Sequence, residues 1–131
     1  MLERVLILRS TGLVEGLPRD LVFGLAKILQ LIHYSAGEVI FDEGDRSTSM
    51  YIIARGRVRV HRGQVTVALL AAGEIFGEMA LASSAPRSAS VSALEDCELL
   101  ELHQDMFYEV MAHDPGIFRK VVQIIIDRIQ Q

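Results

Sequence analysis

A glycine, a carboxylate and a guanidinium lie close together in a segment of small residues, and together they could hold a phosphorylated ligand. Gly77 permits a close approach to its backbone, and Glu78 follows it directly. Residues 78–82 can form one helical turn whose free N–H groups point back toward Gly77 and make an anion site. Arg87 can fold back over that site and offer a planar fork of donors to a phosphate.

Three neighbouring side chains indicate what else the ligand contains. Ser88 adds a hydroxyl group, and Ala89 keeps the wall of the site low so that a ligand can lie flat. The Glu78 carboxylate would repel a bare anion, but it can accept a hydrogen bond from a sugar hydroxyl. The segment therefore suits a molecule that carries a phosphate and a neighbouring ribose hydroxyl.

The elements that must position this segment are mainly strands. Helical periodicity predicts a helix over residues 18–32, preceded by a shorter helix at the start of the chain. From Tyr34 onward, short apolar runs are separated by glycines, which is typical of antiparallel strands in a sandwich, roll or barrel. We predict an α+β, mainly β fold: an antiparallel jelly roll (β-roll) with N-terminal and C-terminal helices and a short helix at 77–82.

The end of the chain is predicted to be helical again, with helices near residues 104–112 and 115–131. Asp114 is suited to cap the second of these helices, and Pro115 to begin it. The second helix carries an apolar stripe that needs a partner surface. The stripe consists of Phe118, Val122, Ile125 and Ile129.

Composition narrows the class of protein further. The 131 residues are 50% hydrophobic and 23% charged, as in a single globular domain. A net charge of −4 argues against a general nucleic-acid binder. No apolar run approaches the roughly eighteen residues of a membrane-spanning helix, and residues 1–9 are too short a core for a signal peptide. Cys97 is the single cysteine and cannot form an internal disulfide, which fits a protein of the reducing cytoplasm. It lies in an alternating apolar run, so we expect it to be a small buried residue.

The segment also resembles a known motif. Phe76-Gly77-Glu78-Met79-Ala80-Leu81, followed after five residues by Arg87-Ser88-Ala89-Ser90-Val91, resembles the phosphate-binding cassette of the cyclic nucleotide-binding domain family. Residues 39–45 resemble the turn ahead of that family's central strands, and residues 51–58 its strand pair with a glycine. The resemblance covers roughly residues 15–131. One departure is the run Arg46-Ser47-Thr48-Ser49, where the family usually has a small residue in the turn.

The resemblance implies a role for each cassette residue. The Gly77 backbone and the Ala80 N–H would face the cyclic phosphate and ribose, and Glu78 would accept a hydrogen bond from the ribose 2′-hydroxyl. Arg87 would pair with the exocyclic phosphate oxygens, and Ser88 would donate to the phosphate. The predicted ligand-binding residues are Phe76, Gly77, Glu78, Met79, Ala80, Arg87, Ser88 and Ala89.

The resemblance also implies a function. We expect residues 1–131 to form one cyclic nucleotide-binding regulatory domain, with a helical start at 1–32, a β-roll at 33–102 and C-terminal helices at 103–131. Cyclic AMP is the first choice of ligand and cyclic GMP the second. The last helix would pass the signal on by closing over the base, or by pairing with a second subunit or another domain of a larger protein. The alternative is an interaction module with this fold that binds no ligand.

Other candidate chemistry is weak. Basic residues alternate along one predicted strand and would share one of its faces: Arg55, Arg57, Arg59 and His61. This face is either exposed to solvent and paired with acidic neighbours, or it binds an anionic partner. The four histidines lack the spacing of a metal site, so no metal or cofactor is expected. Neither a nucleophile-elbow motif nor a phosphate-binding P-loop occurs, and we predict that the chain is not an enzyme.

Overall fold

A computed structural model describes residues 1–129, with side chains as far as residue 128. Two helices come first, α1 (Leu2–Ser10) and α2 (Arg19–Ile28). The strands are β1 (Gln30–Tyr34), β2 (Val39–Phe41), β3 (Ser49–Arg55), β4 (Arg57–Arg62), β5 (Val65–Ala71), β6 (Ile75–Phe76), β7 (Ser90–Ala93) and β8 (Cys97–His103). A 3₁₀ turn (Glu78–Leu81) lies between β6 and β7, and the helices α3 (Gln104–Met111) and α4 (Pro115–Ile129) follow β8.

The strands form two antiparallel four-stranded sheets, as the glycine-separated apolar runs predict. One sheet has the order β1-β8-β3-β6, and the other has the order β2-β7-β4-β5. Gly56, with φ of +90°, lets the chain pass from β3 in the first sheet to β4 in the second. A side chain there would approach the Asp96 carbonyl oxygen to 2.5 Å, so only glycine fits this crossing. The predicted β-roll with helices at both ends is confirmed.

Strand β3 separates two apolar cores because both of its faces are covered. Ile52 packs on one face with helical residues such as Leu25, Phe107 and Ile125. Ile53, next along the strand, points the other way and packs between the sheets with Val58. The first core ties the helices to the roll, while the second holds the two sheets together.

The helix α2 ends at Ile28, so the prediction of helix as far as residue 32 is wrong at its C-terminal end. Leu29 is already extended, with ψ of 133°, and the next residues form β1. This strand pairs with β8 from Gln30 opposite Glu101 onward, and the roll therefore begins at Gln30, not at residue 33. Pairing with a strand seventy residues away overrides the local helical periodicity.

The last helix begins as predicted and packs against the roll. The Asp114 carboxylate accepts a hydrogen bond from the Ile117 N–H at 3.1 Å, which confirms the N-cap. Ile125 of the predicted stripe is fully buried, while Phe118 and Val122 are half-buried. The Ile129 side chain and residues 130–131, which the prediction also included, lie outside the described residues.

Two smaller features concern the lone thiol and the length of the helices. Cys97 is 1% exposed, and burial raises the pKa of its thiol, which fits the predicted role as a small buried group. In the part of the chain that the structure describes, no helix combines the length and apolar character needed to cross a membrane.

Candidate functional site

A cleft of about 410 Å³ opens between the 3₁₀ turn and residues 85–89, and most of the predicted ligand-binding residues line it. The lining residues that the sequence singled out are Phe76, Gly77, Glu78, Met79, Arg87, Ser88 and Ala89. The structure adds Phe41, Ser47, Val60, Ala85, Pro86 and Val91. A cleft of this volume is in the range of small-ligand sites in proteins.

Gly77 gives the segment its shape. It has φ of +74°, a left-handed conformation that glycine adopts without strain, and it ends β6 and starts the 3₁₀ turn. The turn spans Glu78–Leu81, slightly shorter than the predicted 77–82. Its first N–H groups have no acceptor within the turn itself, so they are available to an anion.

Ala80 does not line the cleft, unlike the other predicted residues. Its side chain is fully buried, and its N–H donates to the Gly77 carbonyl oxygen at 3.1 Å. The resemblance assigned this N–H to the ligand, but here it closes the 3₁₀ turn.

Arg87 lies beneath the cleft with only 7% of its surface exposed. Its Nη2 donates to the Ser49 carbonyl oxygen at 2.6 Å, and its Nη1 donates to the Gly77 carbonyl oxygen at 3.3 Å. Its Nε is buried and has no acceptor. The guanidinium carbon is 3.9 Å from the centroid of the Phe41 ring. The side chain is thus held in place and still has an unused donor.

The guanidinium has no ion-pair partner among residues 1–128, whose side chains the structure describes. No carboxylate oxygen of these residues lies within 4.0 Å of its nitrogen atoms. Burial lowers the pKa of Arg87, while more distant acidic groups, Glu78 among them, act in the opposite direction. A buried cation whose direct partners are neutral carbonyl groups is costly, and a bound anion would offset that cost.

Glu78 lines the cleft and is half-buried. It does not pair with Arg87 within the salt-bridge distance, so the two side chains do not simply neutralise each other. Ser88 is exposed, and its carbonyl oxygen accepts a hydrogen bond from Arg62 Nε at 3.0 Å. Ala89 is buried at the wall, and Met79 is 41% exposed at the mouth. The cleft therefore presents one uncompensated cation and one available acceptor.

Three aromatic rings cluster next to Arg87, and two of them, Phe41 and Phe76, line the cleft. The Phe41 centroid is 6.1 Å from that of Tyr51 and 5.9 Å from that of Phe76, and the Tyr51 and Phe76 rings stack at 5.1 Å. Sequence reasoning gave no site role to Phe41, although it lies in the segment that resembles the family. What places Phe41 at the site is its contact with Arg87, a residue distant in the sequence.

The basic residues of the predicted strand face are not all on one strand. Arg55 ends β3 and Arg57 begins β4, because Gly56 carries the chain from one sheet to the other. Their side chains lie 3.7 Å from Glu98 and 3.4 Å from Glu95 respectively, so acidic neighbours do pair with them. These pairs are exposed, and such pairs stabilise a fold by only about 0–1 kcal/mol.

An antiparallel β-roll with helices at both ends, and a cleft that holds a buried guanidinium, is suited to bind a small anionic ligand. Residues 31–114 match the sequence model of the cyclic nucleotide-binding domain. The chain belongs to this family, whose domain is regulatory and not itself catalytic.

Relatives and solved structures agree with this assignment. The chain is 32% identical over 129 residues to the cyclic AMP receptor protein of Thermus thermophilus, a match that covers 95% of this chain and 60% of that protein. It is 31% identical to a lysophospholipase NTE1 of Chaetomium globosum over 96% of its own length and 8% of the relative. The regulatory domain of Toxoplasma gondii PKA, solved with cAMP, superposes with a TM-score of 0.77 at 28% identity, covering 82% of this chain and 43% of that one. The chain thus spans about 60% or less of these relatives.

Proposed function

We propose that this chain binds cyclic AMP reversibly, with cyclic GMP as the second choice, and serves as the sensor domain of a larger protein. The observation that carries the proposal is the state of Arg87: a buried guanidinium at a cleft, with neutral direct partners and an Nε–H that lacks an acceptor. A cyclic phosphate would supply both the missing negative charge and the missing acceptor.

The choice of cyclic nucleotide over other anions is supported by two further points. Glu78 gives the cleft an acceptor that a simple anion would not need but a ribose 2′-hydroxyl would use. The Thermus thermophilus relative is named for cyclic AMP, and the Toxoplasma gondii neighbour was solved with it.

We assign the following roles within the cleft. Arg87 pairs with the exocyclic phosphate oxygens, and the N–H groups at the start of the 3₁₀ turn face the same phosphate. Glu78 accepts from the ribose, and Ser88 donates to the phosphate. Ala80 acts through its buried methyl group, which anchors the turn, because its N–H is already engaged.

The signal would pass through the 3₁₀ turn to α4. Leu81 at the end of the turn lies in the same core cluster as Val121 and Ile125 of α4. A ligand that shifts the turn would therefore change how α4 packs, and a ligand that favours one packing shifts the population toward it. No α4 residue among 115–128 lines the cleft in this structure, so closure over the base would require α4 to move.

We further propose that this chain performs no chemistry on its ligand and acts in the cytoplasm. Its output would come from another domain or from a second copy joined through α4. We propose that this chain itself neither binds nucleic acid nor inserts into a membrane.

A thermal shift experiment tests the proposal directly. Ligand at a hundred times its dissociation constant adds about 2.7 kcal/mol to the native state, which for 131 residues corresponds to a rise in Tm of about 10 °C. We expect this rise with cyclic AMP, a similar or smaller rise with cyclic GMP, and little change with AMP or ATP.

Two results would contradict the proposal in different ways. If none of the four nucleotides moves the transition, the chain is an interaction module that binds no ligand. If AMP raises the Tm as much as cyclic AMP does, the assignment of a cyclic phosphate is wrong.

A further inference from the structure

The ring of Phe41 covers one face of the Arg87 guanidinium, with 3.9 Å between the ring centroid and the guanidinium carbon. This is the geometry of a cation–π contact, whose strength grows when the cation is removed from water. We propose that Phe41 is a positioning residue for ligand binding: it holds Arg87 ready for the phosphate without neutralising it. This inference rests on the proposed function.

The local backbone aims Phe41 at the cleft. Val39 of β2 pairs with Ser92 of β7, but Phe41 pairs with Val91, so β2 carries one extra residue in this short stretch. Such a bulge changes the direction of the side chains that follow it. Val39 remains 48% exposed, while Phe41 is half-buried and lines the cleft.

The Phe41 ring is itself held by its neighbours. Tyr51 and Phe76 stack on each other with an angle of 17° between their rings, and both lie within about 6 Å of Phe41. The Tyr51 hydroxyl donates to the Glu101 carboxylate at 3.0 Å, which fixes its ring in turn. A ring supported on this side presents a fixed surface to Arg87.

An aromatic partner suits a ligand-binding arginine better than a carboxylate would. A carboxylate against Arg87 would cancel its charge and compete with the incoming phosphate. The Phe41 face stabilises the buried cation but leaves its charge uncancelled and its in-plane Nε–H donor free. The carbonyl oxygens of Ser49 and Gly77 fix the direction in which the guanidinium points, and the Phe41 ring fixes the plane of the guanidinium.

Site-specific fluorination of Phe41 tests this role. Each added fluorine withdraws electrons from the ring face with little change in shape, so a cation–π contact weakens in steps. We expect the affinity for cyclic AMP, measured by isothermal titration calorimetry, to fall progressively from the natural residue through the monofluoro to the trifluoro form, by about tenfold in all. Phe41→Leu, which keeps an apolar side chain without a ring, should show a similar loss.

Phe107 is the matched control. It is fully buried in α3, among Tyr108 and Phe118, and it does not line the cleft. The same fluorine series there should leave the affinity for cyclic AMP unchanged. A purely structural role of Phe41 would change the Tm but would not make affinity follow the number of fluorines.

The outcomes separate this inference from the proposed function. If the natural protein binds cyclic AMP and the Phe41 fluorine series and Phe41→Leu leave the affinity unchanged, the positioning role is overturned and the proposed function stands. If the natural protein shows no binding of cyclic AMP, the proposed function fails and this inference fails with it. If the trifluoro form does not fold, a loss of about twofold in the monofluoro form supports the role, and unchanged affinity overturns it.

Discussion

Arg87→Ala is expected to weaken the binding of cyclic AMP by about ten- to a hundredfold or more. A hydrogen bond from a charged group contributes about 1.5–3 kcal/mol, and each 1.4 kcal/mol changes a dissociation constant tenfold. The substitution also removes a buried cation at the cleft that has no carboxylate within 4.0 Å among the residues whose side chains the structure describes. Isothermal titration calorimetry on the natural and substituted proteins measures the change.

Two companion variants make this result interpretable. Arg87→Lys keeps a positive charge but loses the planar fork, so its affinity should lie between those of the natural protein and Arg87→Ala. Arg55→Ala removes an exposed arginine whose partner is Glu98 on the surface, and it should bind cyclic AMP normally. Circular dichroism checks that each variant is folded. Normal affinity in a folded Arg87→Ala protein would show that the phosphate does not bind where we place it.

The β-roll could be predicted because its signals are local. Glycines separate short apolar runs, and a proline after an aspartate marks the start of α4. The end of α2 could not be predicted in the same way, since β1 exists through its pairing with β8. A helical pattern and a strand that follow one another can share the same apolar residues, and only the distant partner strand decides where the helix ends.

The candidate site was predictable in its side chains but not in its backbone partners. Gly77 and Arg87 stand out by type and spacing, and the structure brings them together across the cleft. The second partner of Arg87 is the carbonyl oxygen of Ser49, a group that every residue type carries and that leaves no mark in the sequence. The same holds for the Ala80 N–H, whose use within the 3₁₀ turn depends on the conformation of the turn.

Phe41 shows a third kind of difficulty. An apolar residue at the end of a short strand is most simply explained as core, and much of its surroundings is indeed core. Its contact with Arg87 depends on a bulge in β2 and on the path of the chain between β6 and β7. A residue's role at a site can thus arise from strand register, which a single sequence does not display.

Gly77→Ala is expected to lower both the stability of the fold and the affinity for cyclic AMP. With φ of +74°, an alanine at this position costs about 1–2 kcal/mol of unfolding free energy. Its Cβ would also lie 2.7 Å from Arg87 Nη1 and 3.1 Å from the Ser49 carbonyl oxygen, so the guanidinium must move away. Displacing the phosphate-binding group should reduce the affinity at least tenfold.

Gly12→Ala separates backbone strain from displacement of Arg87. Gly12 has nearly the same φ, +76°, but a Cβ there would meet nothing within 4 Å. Urea unfolding should therefore show a loss of stability in both variants, with the larger loss in Gly77→Ala, while calorimetry should show a loss of affinity in Gly77→Ala alone. Equal affinities in the two variants would mean that Arg87 can leave its position without cost to binding. Because the contact between Gly77 and Arg87 is what joins the turn to the guanidinium, that result would count against the whole arrangement of the site.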